Sequence, residues 1–121
     1  MAKSLRILYV EDNTLVREVT SELLAQEGRK GVALGSAEEA LEAFRSDHYD
    51  LLITDVSLPV MSGMDLARTL LRDRPTLPII IASGYSLDLG AERWAQNVRS
   101  IIKPFEVDEI DALISEVAPR G

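Results

Sequence analysis

The chain has no cysteine, which excludes disulfides and thiolate metal centres and suits a reducing cytoplasm. No apolar run approaches the ~18 residues of a membrane span, and the start, MAKSLRILYVED, lacks the long apolar stretch of a signal peptide. A cytoplasmic protein with no membrane partner is therefore expected. Basic charge is also short, with 13 Lys and Arg against 20 Asp and Glu and a net charge of −7. Such a surface repels nucleic acid and anionic membrane alike, so neither is expected as a direct partner. Histidine occurs once, as His48 in a polar turn with no second ligand at metal-binding spacing. A solvated side chain is expected there, and neither a phospho-carrier nor a metal ligand. Repeats, low-complexity tracts and linker-like composition are absent too. What is present is ordinary for a globular protein: 121 residues, 46% hydrophobic and 27% charged. One domain, 1–121, with a core able to fold without staples is expected.

The chain is organised around DLLITDVSLPVMSG, residues 50–63. Leu51-Leu52-Ile53 reads as a buried strand closed by Thr54 and Asp55. Ser57, Pro59 and Ser62-Gly63 mark a loop, and a helical pattern begins at about Met64. Taken in order, Leu5 to Val10 is a first strand ended by Glu11-Asp12. From Asn13 the period becomes helical, with Leu15, Val16, Val19, Leu23 and Leu24 on one face and Gly28 as the stop. Val32 to Leu34 is a short second strand. Ser36-Ala37-Glu38-Glu39 has the form of a capping box, and Ala37, Ala40, Leu41 and Phe44 line the inner face of the helix it opens.

Leu66, Ala67, Leu70 and Leu71 repeat at helical spacing until Pro75 and Pro78. Ile79 to Ala82 is the most apolar strand, ending at Ser83-Gly84. The segment Ser86 to Gln96 contains Gly90 and few apolar positions, so a short or mobile helix is expected. Val98 to Ile102 is a fifth strand, ending at Lys103-Pro104, and Val107, Ile110, Ile114 and Val117 give a last helix. Strands alternating with helices imply an α/β fold with a parallel sheet covered on both faces. Right-handed crossovers leave few topologies, and a doubly wound five-stranded sheet of order 2-1-3-4-5, flavodoxin-like, is expected.

In that order the strand ends carrying Glu11-Asp12, Asp55, Ser83 and Lys103 lie along one edge of the sheet, where such sheets place ligands. Clustered carboxylates repel one another, and a hard divalent cation removes the conflict. An all-oxygen site with open water positions suits Mg2+. A carboxylate nucleophile, a metal and a lysine to neutralise phosphoryl oxygens, and a hydroxyl donor are the parts of a phosphoryl-transfer site. The chemistry inferred is transfer of a phosphoryl group to an aspartate.

On the acidic pair Glu11-Asp12, DVSLPVMSG around Asp55, Ser83 and Lys103-Pro104-Phe105, the chain resembles the receiver domain of bacterial two-component response regulators over essentially its whole length. The resemblance implies that Asp55 is the phosphoacceptor in a phosphorelay, a signalling role and not that of an enzyme acting on a separate substrate. It implies a Mg2+ site made by Glu11, Asp12, Asp55 and Ser57, in which Asp12 binds the ion directly, Glu11 through water, and Ser57 through its backbone carbonyl. Ser83 and Lys103 would contact the phosphoryl group, and the Lys103–Pro104 peptide is expected cis. The donor would be a histidine kinase or a histidine phosphotransfer protein. Where many receivers place Tyr or Phe, three positions before the lysine, this chain has Ser100. The run Ile81-Ala82-Ser83-Gly84-Tyr85 instead loosely resembles a Phe-Ala-Thr-Gly-Gly/Tyr subgroup whose members often stand alone; a similar Ser-Gly-Tyr occurs in receivers of hybrid kinases. Tyr85 is then the candidate for the switching role that Ser100 is too small to fill.

Two other functions suit parts of this pattern. A flavin-binding domain can share this fold, but Glu11-Asp12 would repel the flavin phosphate from the loop after the first strand. A degenerate receiver serving as a phosphorylation-independent binding module typically loses the acceptor, the acidic pair or the lysine, and this chain keeps all of them. Trp94 reads equally as a partner anchor or a half-buried packing residue, and Met61 and Met64 read as fillers of core gaps.

Overall fold

The computed structural model describes residues 4–87 and 97–118. Strands β1 (Leu5–Val10), β2 (Arg29–Leu34), β3 (Leu51–Asp55), β4 (Ile79–Ser83) and β5 (Val98–Ile102) form one parallel sheet of order β2-β1-β3-β4-β5. Helices α1 (Thr14–Leu24), α2 (Ala37–Ser46), α3 (Gly63–Asp73) and α4 (Val107–Val117) cover its two faces. Successive strand residues point to opposite faces, and the sequence supplies apolar side chains at both parities in the central strands. Leu8, Val10, Leu52, Ile79 and Ile81 pack with Ala37, Ala40, Leu66, Ala67 and Leu70 of α2 and α3. Leu5, Ile7, Tyr9, Leu51, Ile53 and Ile80 pack on the other side with Leu24 of α1 and Ile110, Ile114 and Val117 of α4. Each fully buried Leu or Ile contributes about 1.5–3 kcal/mol relative to exposure. Doubling that layer makes β3 and β4 a rigid platform.

The topology agrees with the sequence expectation, and so do the starts of α2, α3 and α4 to within a residue. Several local expectations need correction. β2 begins at Arg29, three residues before Val32, because Arg29 to Gly31 pair in register with Leu5 to Ile7. An edge strand whose central residues are all solvent-exposed leaves no apolar signal to read. Helix α1 stops at Leu24, where the Ala25 amide closes on the Ser21 and Glu22 carbonyls, and Gly28 serves the following turn at φ 85°. The apolar face of α1 is split. Thr20 and Leu24 are buried, whereas Leu15 and Val19 are 69% and 53% exposed.

At α2, the Glu39 amide does donate to Ser36 Oγ at 3.2 Å, but the Glu39 carboxylate takes the Ser36 hydroxyl at 3.1 Å, not a backbone amide. Met61 and Met64 are partly buried against the core, as expected. His48 is exposed, and its Nε2 lies 2.9 Å from Asp50 Oδ1. The expected helix within Ser86–Gln96 and the side chain of Trp94 lie outside the described residues, apart from Ser86 and Leu87.

Candidate active site

Register brings the chemistry together. Val10 pairs with Thr54, Asp55 with Ala82, and Ser83 with Ile102, so Glu11, Asp55, Ser83 and Lys103 leave one edge of the sheet side by side. Asp55 is 6% exposed and Glu11 2%, whereas Asp12 is exposed. One carboxylate oxygen from each of the three lies within 4.8 Å of the others. Lys103 Nζ sits 3.0 Å from Glu11 Oε1 and 3.1 Å from Asp55 Oδ1. Burial works against its ammonium, but the hydrogen bonds to Glu11 and Asp55 outweigh it and hold the Lys103 pKa above its ordinary 10.5. Lys103 thus offsets part of the repulsion between two buried carboxylates. Asp12, facing solvent, keeps the third carboxylate available to a cation.

The backbone around Asp55 is fixed by several groups. The Thr54 hydroxyl donates to the Asp55 carbonyl at 3.0 Å, the Val56 amide to Ala82 O at 2.9 Å, and the Gly63 amide to Val56 O at 2.9 Å. A Cβ on Gly63 would fall 2.0 Å from the Asp55 carbonyl oxygen. Helix α3 can approach the acceptor this closely only with glycine there. Ser83 is fully buried, its Oγ accepting from the Tyr85 amide at 3.1 Å, and the Lys103 amide donates to Ser83 O at 2.7 Å. The Lys103–Pro104 peptide is cis, as the resemblance implied.

The match that decides the family is the response regulator receiver domain, whose profile covers residues 7–115. The chain belongs to the response regulator receiver family. Among its relatives, the transcriptional regulatory protein CseB of Streptomyces coelicolor is 36% identical over 99% of this chain and 52% of its own length. The two-component response regulator PhoP of Pseudomonas aeruginosa is 31% identical over 97% of this chain and 53% of its own length. The chain therefore spans about half the length of these relatives. Among solved structures, the response regulator TrrA of Thermotoga maritima, in complex with Mg2+–BeF, superposes with a TM-score of 0.82 at 30% identity, covering 93% of this chain and 98% of that one.

In this receiver Glu11, Asp12 and Asp55 cluster, Lys103 contacts Glu11 and Asp55, Ser83 ends the strand next to that of Asp55, and Ser57 is exposed on the loop after Asp55. The metal test rests on the donor set. Three hard carboxylate oxygens within a few ångströms, one of them solvent-facing, fit a small divalent cation that keeps several waters. Of the switch candidates, Tyr85 is 62% exposed and Ser100 is half-buried opposite Ile81. Among the described residues, no helix is long and apolar enough to cross a membrane.

Sequence reasoning missed three contributors. Asn13 caps α1 by accepting the Val16 amide, and its own amide donates to Glu11 Oε2 at 3.1 Å, fixing that carboxylate. The signal was there, since Asn is a preferred cap. Tyr9 is buried beneath the site with its phenol bonded to Thr20 of α1; burial pushes its pKa up to about 12 against that bond. Arg17 reaches back to the acidic pair from one turn into α1, and its Nη1 donates to Glu11 O at 2.7 Å. Beside Lys103, the outward face of α1 opens a shallow apolar groove of about 500 Å3, lined by Leu15, Val16, Val19, Leu23, Pro104 and Phe105.

Proposed function

We propose that Asp55 accepts a phosphoryl group from a phosphohistidine donor and that this domain works as an active, phosphorylatable receiver. The observation that carries the reading is the placement of a buried Asp55 carboxylate within 3.1 Å of Lys103 and within metal-sharing distance of Glu11 and Asp12. A Asp55 carboxylate oxygen attacks phosphorus as the bond to the donor imidazole nitrogen breaks; the imidazole leaves with the bonding pair and takes up a proton. Mg2+ would be held by Asp12 directly, by Asp55, by Glu11 through water and by the Ser57 carbonyl. The metal supplies neutralisation of charge on the phosphoryl oxygens. Lys103, already poised between the two buried carboxylates, turns its ammonium to a phosphoryl oxygen, and Ser83 donates its hydroxyl to another. Water attacking phosphorus of the acyl phosphate displaces the Asp55 carboxylate and releases inorganic phosphate.

The donor is a histidine kinase or a histidine phosphotransfer protein, and the groove on α1 is the seat for it. Leu15 and Val19 are exposed apolar residues beside Lys103, so a helix packed on them brings its histidine to the mouth of the site. His48 cannot serve as an internal donor: it precedes β3, at the opposite end of the strand from Asp55. Output to a downstream protein passes through the loop after Ser83. Because Ser83 Oγ holds the Tyr85 amide, movement of that hydroxyl toward a phosphoryl group carries Tyr85 with it. Ser100 has no such link to Ser83 through a side-chain bond among the described residues.

The test is chemical. The protein is phosphorylated with acetyl phosphate and Mg2+, the acyl phosphate is reduced with borohydride, and the peptides are sequenced by mass spectrometry. Homoserine at position 55 is expected. Homoserine elsewhere, or none, would overturn the assignment.

A further inference from the structure

Arg17 and Gly35 lie beside the acidic pair, and the phosphoryl-transfer chemistry gives them no task. Arg17 lies on the same side of α1 as its cap Asn13, one turn on, and helical side chains lean toward the N-terminus. Its Nη1 therefore reaches the acidic pair from behind, 2.7 Å from the Glu11 carbonyl and 3.5 Å from the Asp12 carbonyl. The guanidinium lies against Gly35, just after β2, where an added Cβ would stand 3.2 Å from Nη1. Glycine leaves the slot open. Glu11 is held further by its amide on Leu34 O at 3.0 Å and by the Asn13 amide on its Oε2.

We propose that Arg17, seated in the slot that Gly35 leaves open, is a positioning residue for the metal-binding carboxylates: it clamps the Glu11 and Asp12 carbonyls so that both side chains face Asp55. This rests on the reading of the acidic trio as a Mg2+ site. Both contacts come from Nη1, whose two N–H groups are fixed in direction by the guanidinium plane, whereas a lysine ammonium rotates on a flexible stem. Charge and clamp predict opposite signs. If Arg17 acted only as a nearby cation, deleting it would tighten Mg2+ binding. If it orients the ligands, deleting it loosens the site.

The experiment measures Mg2+ affinity of the unphosphorylated protein by titration calorimetry, with thermal melts, for wild type, Arg17→Ala, Arg17→Lys and Gly35→Ala. Groups that orient metal ligands typically affect affinity 10- to 100-fold, and with the other ties on Glu11 intact we expect roughly a tenfold loss for Arg17→Ala. Arg17→Lys should lose affinity too, despite its retained charge. Gly35→Ala should lose less, in the same direction, by crowding the guanidinium. Unchanged or tighter Mg2+ binding in a folded Arg17→Ala protein would overturn the clamp, and so would full affinity in Arg17→Lys. Should Arg17→Ala fail to fold, Arg17→Lys decides, full affinity counting against the clamp. Absence of Mg2+ binding by wild type would overturn the metal-site reading itself, and the clamp with it.

Discussion

Replacing Lys103 by Ala should tighten Mg2+ binding while impairing phosphorylation. The ammonium stands 3.0 Å and 3.1 Å from oxygens of Glu11 and Asp55, two of the carboxylates that the cation would use. A divalent ion shared by those groups would lie about 5 Å from Nζ, where Coulomb's law gives about 1.7 kcal/mol of repulsion in water-like surroundings and roughly fourfold more at an effective dielectric constant of 20. Lys103 is about a quarter exposed and can swing aside, so screening keeps the effect near the lower figure. About 1–2 kcal/mol corresponds to roughly 5- to 30-fold tighter binding. The gain should shrink as salt is raised from 10 to 150 mM, because the Debye length falls from about 30 to 8 Å. Calorimetry reads the affinity, and the acetyl phosphate reaction reads the loss, since a phosphoryl oxygen no longer meets an ammonium. The raised Lys103 pKa also fixes a sign: its stabilising contribution is full below the ordinary 10.5 and is lost as pH rises through the higher folded value. The contribution that Lys103→Ala removes is therefore constant across neutral pH. Weaker Mg2+ binding in that variant would refute the division of labour between Lys103 and the carboxylates.

Asp12→Ala should weaken Mg2+ binding more than Glu11→Ala, because a direct ligand is lost in the first case and a water-mediated one in the second; calorimetry ranks them. Gly63→Ala should destabilise the fold by about 3 kcal/mol in urea titration, since its Cβ would strike the Asp55 backbone, which cannot yield cheaply. Val60 is β-branched, 97% exposed and at φ 67°, so Val60→Asn should raise stability by about 0.5–1 kcal/mol in the same assay by relieving left-handed strain. Tyr85→Ala should change the NMR shifts induced by phosphorylation across residues 84–97 more than Ser100→Ala does; unaltered shifts would remove Tyr85 as the switch.

The sheet order and the acceptor edge were legible because both depend on strong local signals. A run such as Ile79-Ile80-Ile81-Ala82, short, β-branched and bounded by Pro78 and Gly84, reads as a buried strand, and the hydroxyl residue that ends it falls at the sheet edge. Edge strand β2 was half hidden for the converse reason, since solvent imposes no pattern on Lys30 to Ala33. The α1 face misled because Leu15 and Val19 have helical spacing with Leu23 yet lie mostly in solvent; periodicity records an apolar stripe, not what covers it. Arg17 was invisible for another reason. Its partners are main-chain carbonyls, which every residue carries, so no residue type in the sequence marks the contact. Gly63 was read as a loop marker, whereas its need is steric and appears only when α3 is set against Asp55.

The central claim is that Asp55 is the phosphoacceptor, and intact-mass measurement after incubation with acetyl phosphate and Mg2+ tests it most directly. Wild type should gain a single base-labile phosphoryl group that chelation of the metal prevents. Asp55→Asn, which nearly preserves the shape of the buried side chain, should melt as a folded protein and gain nothing. Undiminished labelling of Asp55→Asn would contradict the account.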